Sequence, residues 1–185
     1  MKLRKLKSED AVYMLEWMHN PSVVEYMQAD FSHKTLEDCW DFINKSQDTI
    51  NNLHLAIVDD NDNYMGTVSL KNIRNDIAEF AIVVRKNAMG KGYSKYGMKE
   101  IVRLGLEELG LKKIYWCVSP ENIRACKFYD KNGYKQMQLS KDEINYLTSW
   151  GGTIQNKSFI TGGIKLQTGS FCLFKSPDFK GGCVA

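Results

Sequence analysis

No Cys-x-x-Cys pair occurs among the five cysteines, Cys39, Cys117, Cys126, Cys172 and Cys183. The three histidines, His19, His33 and His54, are scattered, without the i, i+4 spacing or neighbouring thiols of a zinc site. The cysteines therefore read as free thiols, and no metal site is expected. Long apolar runs are missing too, so nothing reaches the roughly 20 residues needed to cross a bilayer. The basic start, Met1 to Lys7, runs into Ser8-Glu9-Asp10 and not into an apolar signal core, which makes the cytoplasm the expected location. Without a secretory signal, the glycosylation patterns at Asn44-Lys45-Ser46 and Asn156-Lys157-Ser158 are expected to mean nothing. Charge of one sign is also scarce. The 25 basic and 22 acidic residues are well mixed and leave a net charge of +3, so no block argues for nucleic acid or an anionic membrane as partner.

What is present suits a single soluble domain: 185 residues with 43% hydrophobic content can build one sizeable core. The pattern predicts a strand over Lys2 to Lys5, then a helix opened by Ser8-Glu9-Asp10 with an apolar face of Val12, Leu15, Trp17 and Met18. Asn20-Pro21 ends that helix, a second holds Val23 to Met27, and a third runs from Thr35 to about Lys45 with Leu36, Cys39, Trp40 and Ile43 on one side. Strands over Leu53 to Val58 and Tyr64 to Leu70 flank Asp59-Asp60-Asn61-Asp62-Asn63, a turn-forming cluster that reads as a hairpin. Ile77 to Val84 is a fourth strand, Tyr93 to Leu109 a long helix and Lys113 to Val118 a fifth strand. Residues 1–150 form the expected domain and 151–185 an extension that completes the sheet or forms a mobile tail, with a short helix at Asp142 to Leu147 and a last strand at Ser170 to Lys175. The Gly151-Gly152, Gly162-Gly163 and Gly181-Gly182 pairs suggest hairpins or irregular loop.

The chemistry concentrates in two places. Met89-Gly90-Lys91-Gly92-Tyr93-Ser94-Lys95 turns from the fourth strand into the long helix, so unpaired backbone N–H groups and the positive end of the helix dipole converge in front of it. A pyrophosphate is the natural guest. The three-glycine spacing and βαβ start of a dinucleotide site are absent. The second place is Asn122 to Tyr134, where Asn122, Cys126 and Tyr129 share one helix face over about 10 Å of rise, between Pro120 at the start and Asn132-Gly133 at the end.

These two stretches resemble the GNAT superfamily of acyl-CoA N-acyltransferases. Its fingerprint is a Gln/Arg-x-x-Gly-x-Gly/Ala loop followed by Asn-x-x-Ala-x-x-x-Tyr-x-x-x-Gly-Phe/Tyr, matched here at Gly92 and at Asn122, Ala125, Tyr129, Gly133 and Tyr134. Met89 stands where the family carries Gln or Arg, and Ser94 where it carries Gly or Ala. The resemblance implies an α/β (α+β) fold: a central mixed, mostly antiparallel sheet, splayed between the fourth and fifth strands and flanked by helices. It also implies direct acetyl transfer from acetyl-CoA to an amine, without a covalent enzyme intermediate and without a metal. Acetyl-CoA would lie on Ile82, Val83 and Val84, on Met89, Gly90, Lys91, Gly92, Tyr93, Ser94 and Lys95, and on Asn122, Ala125 and Tyr129.

Tyr129 falls where the family's general acid lies; alone it would read as a core aromatic, but the combined motif reverses that. Glu79 is a candidate base or water-organiser for the amine and equally a solvent-facing strand carboxylate. His54 and Glu25 are weaker candidates. The stretches Leu3-Arg4-Lys5-Leu6, Trp17 to Val23 and Ala78 to Ile82 look like the branch holding ribosomal-protein N-terminal acetyltransferases and spermidine and nucleotide-amino-sugar acetyltransferases. A small molecule, amino sugar or peptide N-terminus is the implied acceptor. The rival from another class is a catalytically silent acyl-CoA-binding module. An apolar strand near the end would also pair in a homodimer.

Overall fold

The computed structural model describes residues 1–27, 29–47, 50–134, 136–137 and 160–165, in two compact units, Met1–Leu111 and Lys112–Ala185. In the first unit β1 (Lys2–Lys5), β2 (Leu53–Val58), β3 (Tyr64–Arg74) and β4 (Ile77–Val84) pair antiparallel in that order. The β2–β3 turn closes on Asp59, whose carboxylate accepts from the Asn61 and Asn63 N–H groups, both at 2.9 Å. Strand β3 runs on to Arg74, past the expected end at Leu70. The reversal falls at Asn75-Asp76, whose φ angles of 46° and 65° are those that a tight two-residue hairpin turn requires at both central positions.

Alternation gives this sheet two faces. Ala56, Val58 and Val83 meet α1 (Ala11–Met18), α2 (Pro21–Val24) and α3 (Leu36–Lys45) in a core with Leu6, Met14, Trp17, Cys39, Ile43 and Tyr64. Within it the Trp17 indole N–H donates to the Tyr64 hydroxyl at 3.1 Å, and that hydroxyl is 2.7 Å from Thr67 Oγ1. The opposite face packs on α4 (Tyr93–Arg103). Gly97 lets the helix approach so closely that a Cβ there would sit 2.5 Å from Ile57 Cδ1.

Several expected details are corrected. The buried residues of α1 are Ala11, Met14, Trp17 and Met18, while Val12 is exposed; a short 3₁₀ turn at Ser8–Asp10 precedes the helix and rotates its inward face. The first helix ends before Asn20-Pro21 as expected, but the second runs over Pro21–Val24 and not Val23 to Met27: the missing N–H of Pro21 is harmless at the first helical position, and the Asn20 side chain accepts from the Ser22 N–H. Trp40 is exposed and donates to the Ser8 carbonyl at 3.3 Å. The long helix changes at Leu104–Glu108 into a π-helical turn.

The second unit contains β5 (Lys113–Val118), α5 (Ile123–Lys131), β6 (Gln136–Met137) and β7 (Ile160–Lys165), with β7 antiparallel to both β5 and β6. The register sets Gly162 and Gly163 opposite Trp116 and Tyr115. The expected helix at Asp142 to Leu147 and strand at Ser170 to Lys175 lie outside the described residues. Among the described residues no helix is long and apolar enough to cross a membrane.

Candidate active site

The glycine turn is built by backbone conformation. Gly90 has φ of 76° and Gly92, the N-cap of α4, has φ of 89°, a region in which a side chain is strained. The Lys91 N–H is held by the Ala88 carbonyl at 3.4 Å and the Tyr96 N–H by Gly92 at 3.0 Å. The N–H groups of Gly90, Gly92, Tyr93 and Ser94 have no acceptor among the described residues. They crown an 11-residue helix, so the dipole adds to them. Lys86, Lys91 and Lys95 stand exposed around the turn.

Met89 packs against the core of α1–α3, so the residue that departs from the family pattern anchors the loop instead of reaching out of it. Arg85, just after β4, is clamped too: its guanidinium pairs with Glu16, donates to the Tyr64 carbonyl at 3.1 Å and lies 4.3 Å over the Tyr13 ring. Ile82, Val83 and Val84 lie on β4 opposite Val68, Thr67 and Gly66 of β3.

On the face of the sheet that packs against α1–α3 the register lines up a polar row: His54 of β2 faces Ser69 of β3, and Lys71 of β3 faces Glu79 of β4. Glu79 is buried, so the solvent-facing alternative is overturned. One carboxylate oxygen is 3.0 Å from Lys71 Nζ and the other accepts from Asn72 Nδ2 at 3.4 Å. His54 Nδ1 is 2.7 Å from Ser69 Oγ, and its ring meets Phe42 edge-on at 4.9 Å. Sequence reasoning missed Ser69 and Lys71. Their signal is positional, since both lie on one face of β3 two residues apart, but reading it requires the β3–β4 register, which the Asn75-Asp76 turn and a one-residue shift between Lys71 and Arg74 set together.

Burial, with Lys71 adding to it, lowers the His54 imidazole from 6.5 to about 4. The unfolded chain binds that proton near pH 6.5 and the folded one only near pH 4, so the unfolded state holds more protons in between. Stability is whole above pH 6.5 and falls as pH drops through that window. We expect His54 to account for up to about 2 kcal/mol of lost stability between pH 7 and 5. Denaturant midpoints of His54→Gln measured at the two pH values should show that loss removed; an unchanged loss would contradict it.

In the second unit Asn122 caps α5, its side-chain oxygen accepting from the Ala125 N–H at 3.0 Å. Tyr129 is half-buried, stacked on Trp116 with ring centroids 5.1 Å apart and flanked edge-on by Phe128 and Tyr134. Among the described residues its hydroxyl has no hydrogen-bond partner. Burial first, then Cys126, Tyr134 and Cys117, push this phenol well above its usual value near 10, so it stays protonated. The Cys126 thiol is itself raised, by burial and then Asp130, which makes it a poor nucleophile. Glu25 and the acidic residues of α1–α3 show no arrangement with this row among the described contacts, and no cluster of metal-ligating residues occurs among the described residues.

Comparison with known proteins gives the family context. The acetyltransferase (GNAT) domain family matches residues 1–135. An uncharacterized N-acetyltransferase p20 of Bacillus licheniformis is 28% identical over 147 residues, 76% of this chain and 82% of that protein. The acetyltransferase PseH of Campylobacter jejuni is 24% identical, covering 75% and 85%, and spermidine N(1)-acetyltransferase of Escherichia coli is 28% identical, covering 72% of each. Among solved structures, spermidine N-acetyltransferase of Vibrio cholerae in complex with CoA and spermine aligns with a TM-score of 0.68 at 21% identity, over 88% of this chain and 92% of that one. The PaiA N-acetyltransferase of Thermoplasma acidophilum in complex with coenzyme A aligns with a TM-score of 0.65 at 18% identity, over 89% and 98%.

Proposed function

Because this chain belongs to the GNAT acetyltransferase family, whose fold it shares, we propose that it transfers an acetyl group from acetyl-CoA directly to a primary amine of a small molecule, amino sugar or peptide N-terminus. The observation that carries the donor assignment is the set of open N–H groups at Gly90, Gly92, Tyr93 and Ser94 heading α4. Such a set matches the oxygens of a pyrophosphate. The backbone of Ile82, Val83 and Val84 would bond the pantetheine amides, with Met89, Lys91 and Lys95 framing the loop and Asn122 and Ala125 heading the helix that presents Tyr129.

The chemistry then needs three proton movements. The acceptor ammonium gives up a proton, for which Glu79 is the candidate acceptor, and the free amine attacks the thioester carbon. As the carbon–sulfur bond breaks, the Tyr129 hydroxyl donates its proton to the departing sulfur, and the nitrogen, which became cationic on attack, gives up its second proton to leave a neutral amide and, through solvent, restore the phenol. A phenol raised by burial is a weak acid, but a thiolate leaving in the same dry surroundings is correspondingly strong as a base. Direct transfer is supported over an acyl-enzyme because the nearby Cys126 thiol is held protonated.

The test is release of free CoA thiol from acetyl-CoA over a panel of spermidine, amino sugars, nucleotide-linked amino sugars and peptides with free N-termini. Turnover on one class supports the reading and names the acceptor. Failure of every amine, with acetyl-CoA still bound in calorimetry, would turn it toward an acyl-CoA-binding module.

A further inference from the structure

Building on the reading of Glu79 as the group that meets the acceptor, we propose that Lys71 determines acceptor specificity: by holding the Glu79 carboxylate it refuses polycationic amines and admits amines on an uncharged or anionic, hydroxyl-bearing body. Lys71 and Glu79 face each other in register, 3.0 Å apart. The carboxylate's side chain is only 6% exposed and the lysine's 33%, so a ligand approaching from solvent meets the ammonium first. The row's formal charges sum to zero, with Glu79 negative, Lys71 positive and His54 neutral at physiological pH, the last partly because Lys71 stands beside it.

A polyamine depends on unneutralised carboxylates for its recognition. Here it would have to displace a tethered ammonium from a buried carboxylate, and each of its own charges would meet Lys71 at short range. An amino sugar carries a single amine, which gives its one proton to Glu79 and brings no further charge to Lys71, and its hydroxyls suit the groups of the row that hydrogen-bond without charge. His54 Nδ1 is engaged by Ser69, while Nε2 has no partner among the described residues and stands ready to bond a hydroxyl. An anionic substituent, such as a linked phosphate, would find Lys71 favourable.

The test compares glucosamine with spermidine as acceptors, together with spermidine binding by calorimetry in the absence of acetyl-CoA. The wild type is expected to favour glucosamine in kcat/KM by about tenfold or more, and Lys71→Gln to raise kcat/KM for spermidine by about tenfold. Lys71→Gln strands a buried carboxylate and can fail to fold, so a second pair isolates the lysine's charge: Glu79→Gln alone, and Lys71→Gln with Glu79→Gln. The double variant should bind spermidine at least about fivefold more tightly than Glu79→Gln, in which Lys71 stands unopposed. Equal binding by these two, or a wild type that prefers spermidine, overturns the inference alone. A wild type that binds acetyl-CoA but acetylates no amine overturns the amine-acetyltransferase reading and the inference with it.

Discussion

Tyr129→Phe is expected to lower kcat about 10²- to 10⁴-fold while leaving the KM for acetyl-CoA within about threefold. The substitution removes one oxygen and keeps the ring, so the stack on Trp116 and the edge contacts with Phe128 and Tyr134 persist. A packing role alone would therefore lose little. The phenol's worth lies in a proton it holds until the sulfur departs, and burial keeps that proton in place across the physiological range. The deficit should also depend on the leaving group. A thioester of a more acidic thiol needs less protonation, so such a donor should narrow the gap between wild type and variant. If Tyr129→Phe turns over at the wild-type rate with both donors, Tyr129 is a core aromatic and the acid lies elsewhere. Thermal unfolding of the two proteins provides the control for fold.

That environment illustrates how much of the site is written locally. Strands β1, β2, β4 and β5 have the bounds their apolar patterns and flanking turn residues predict, because those signals act over a few residues. The open N–H groups at Gly92 follow from a glycine-rich turn between a strand and a helix, and the cap at Asn122 from a polar residue just ahead of an amphipathic run. Features fixed by distant partners were hidden. Alternation along β4 gives Glu79 a face, but its burial and its pairing with Lys71 depend on the β3–β4 register. That register is set by a turn with Asn75 and Asp76 in left-handed conformations, without the glycine that usually announces it, and by a one-residue shift between Lys71 and Arg74, where Asn72 is also left-handed at φ of 54°. Likewise the inward face of α1 was displaced from Val12 to Met14 by the short turn at Ser8–Asp10, whose own anchor is Asp10 gripped by Arg4 at 2.7 and 2.8 Å. Met89 shows the opposite trade: the motif position lost a polar side chain, and only the fold reveals that it gained a seat in the core.

Gly92→Val tests the other half of the mechanism and should show the reverse kinetic split. At φ of 89° a β-branched side chain is strained by about 1–2 kcal/mol or more. The space at a Cβ is open, since it would meet only Met1 Cε at 3.9 Å, so the effect starts from the backbone strain and not from a clash at that atom. Relieving it requires rotating the peptide units on either side, and these carry the Gly92 and Tyr93 N–H groups assigned to the pyrophosphate. The KM for acetyl-CoA is therefore expected to rise about 10- to 10²-fold with kcat changed far less. Acetyl-pantetheine, which lacks the pyrophosphate, separates this from a general loss of structure. Wild type and Gly92→Val should use that donor with similar kcat/KM, because neither has phosphate to hold. Equal losses with both donors would mean that the turn supports the fold of α4 and not the pyrophosphate. A loss confined to acetyl-CoA would tie the binding energy to backbone donors at the helix start, and would explain how the site can work with Met89 where a polar side chain is usual.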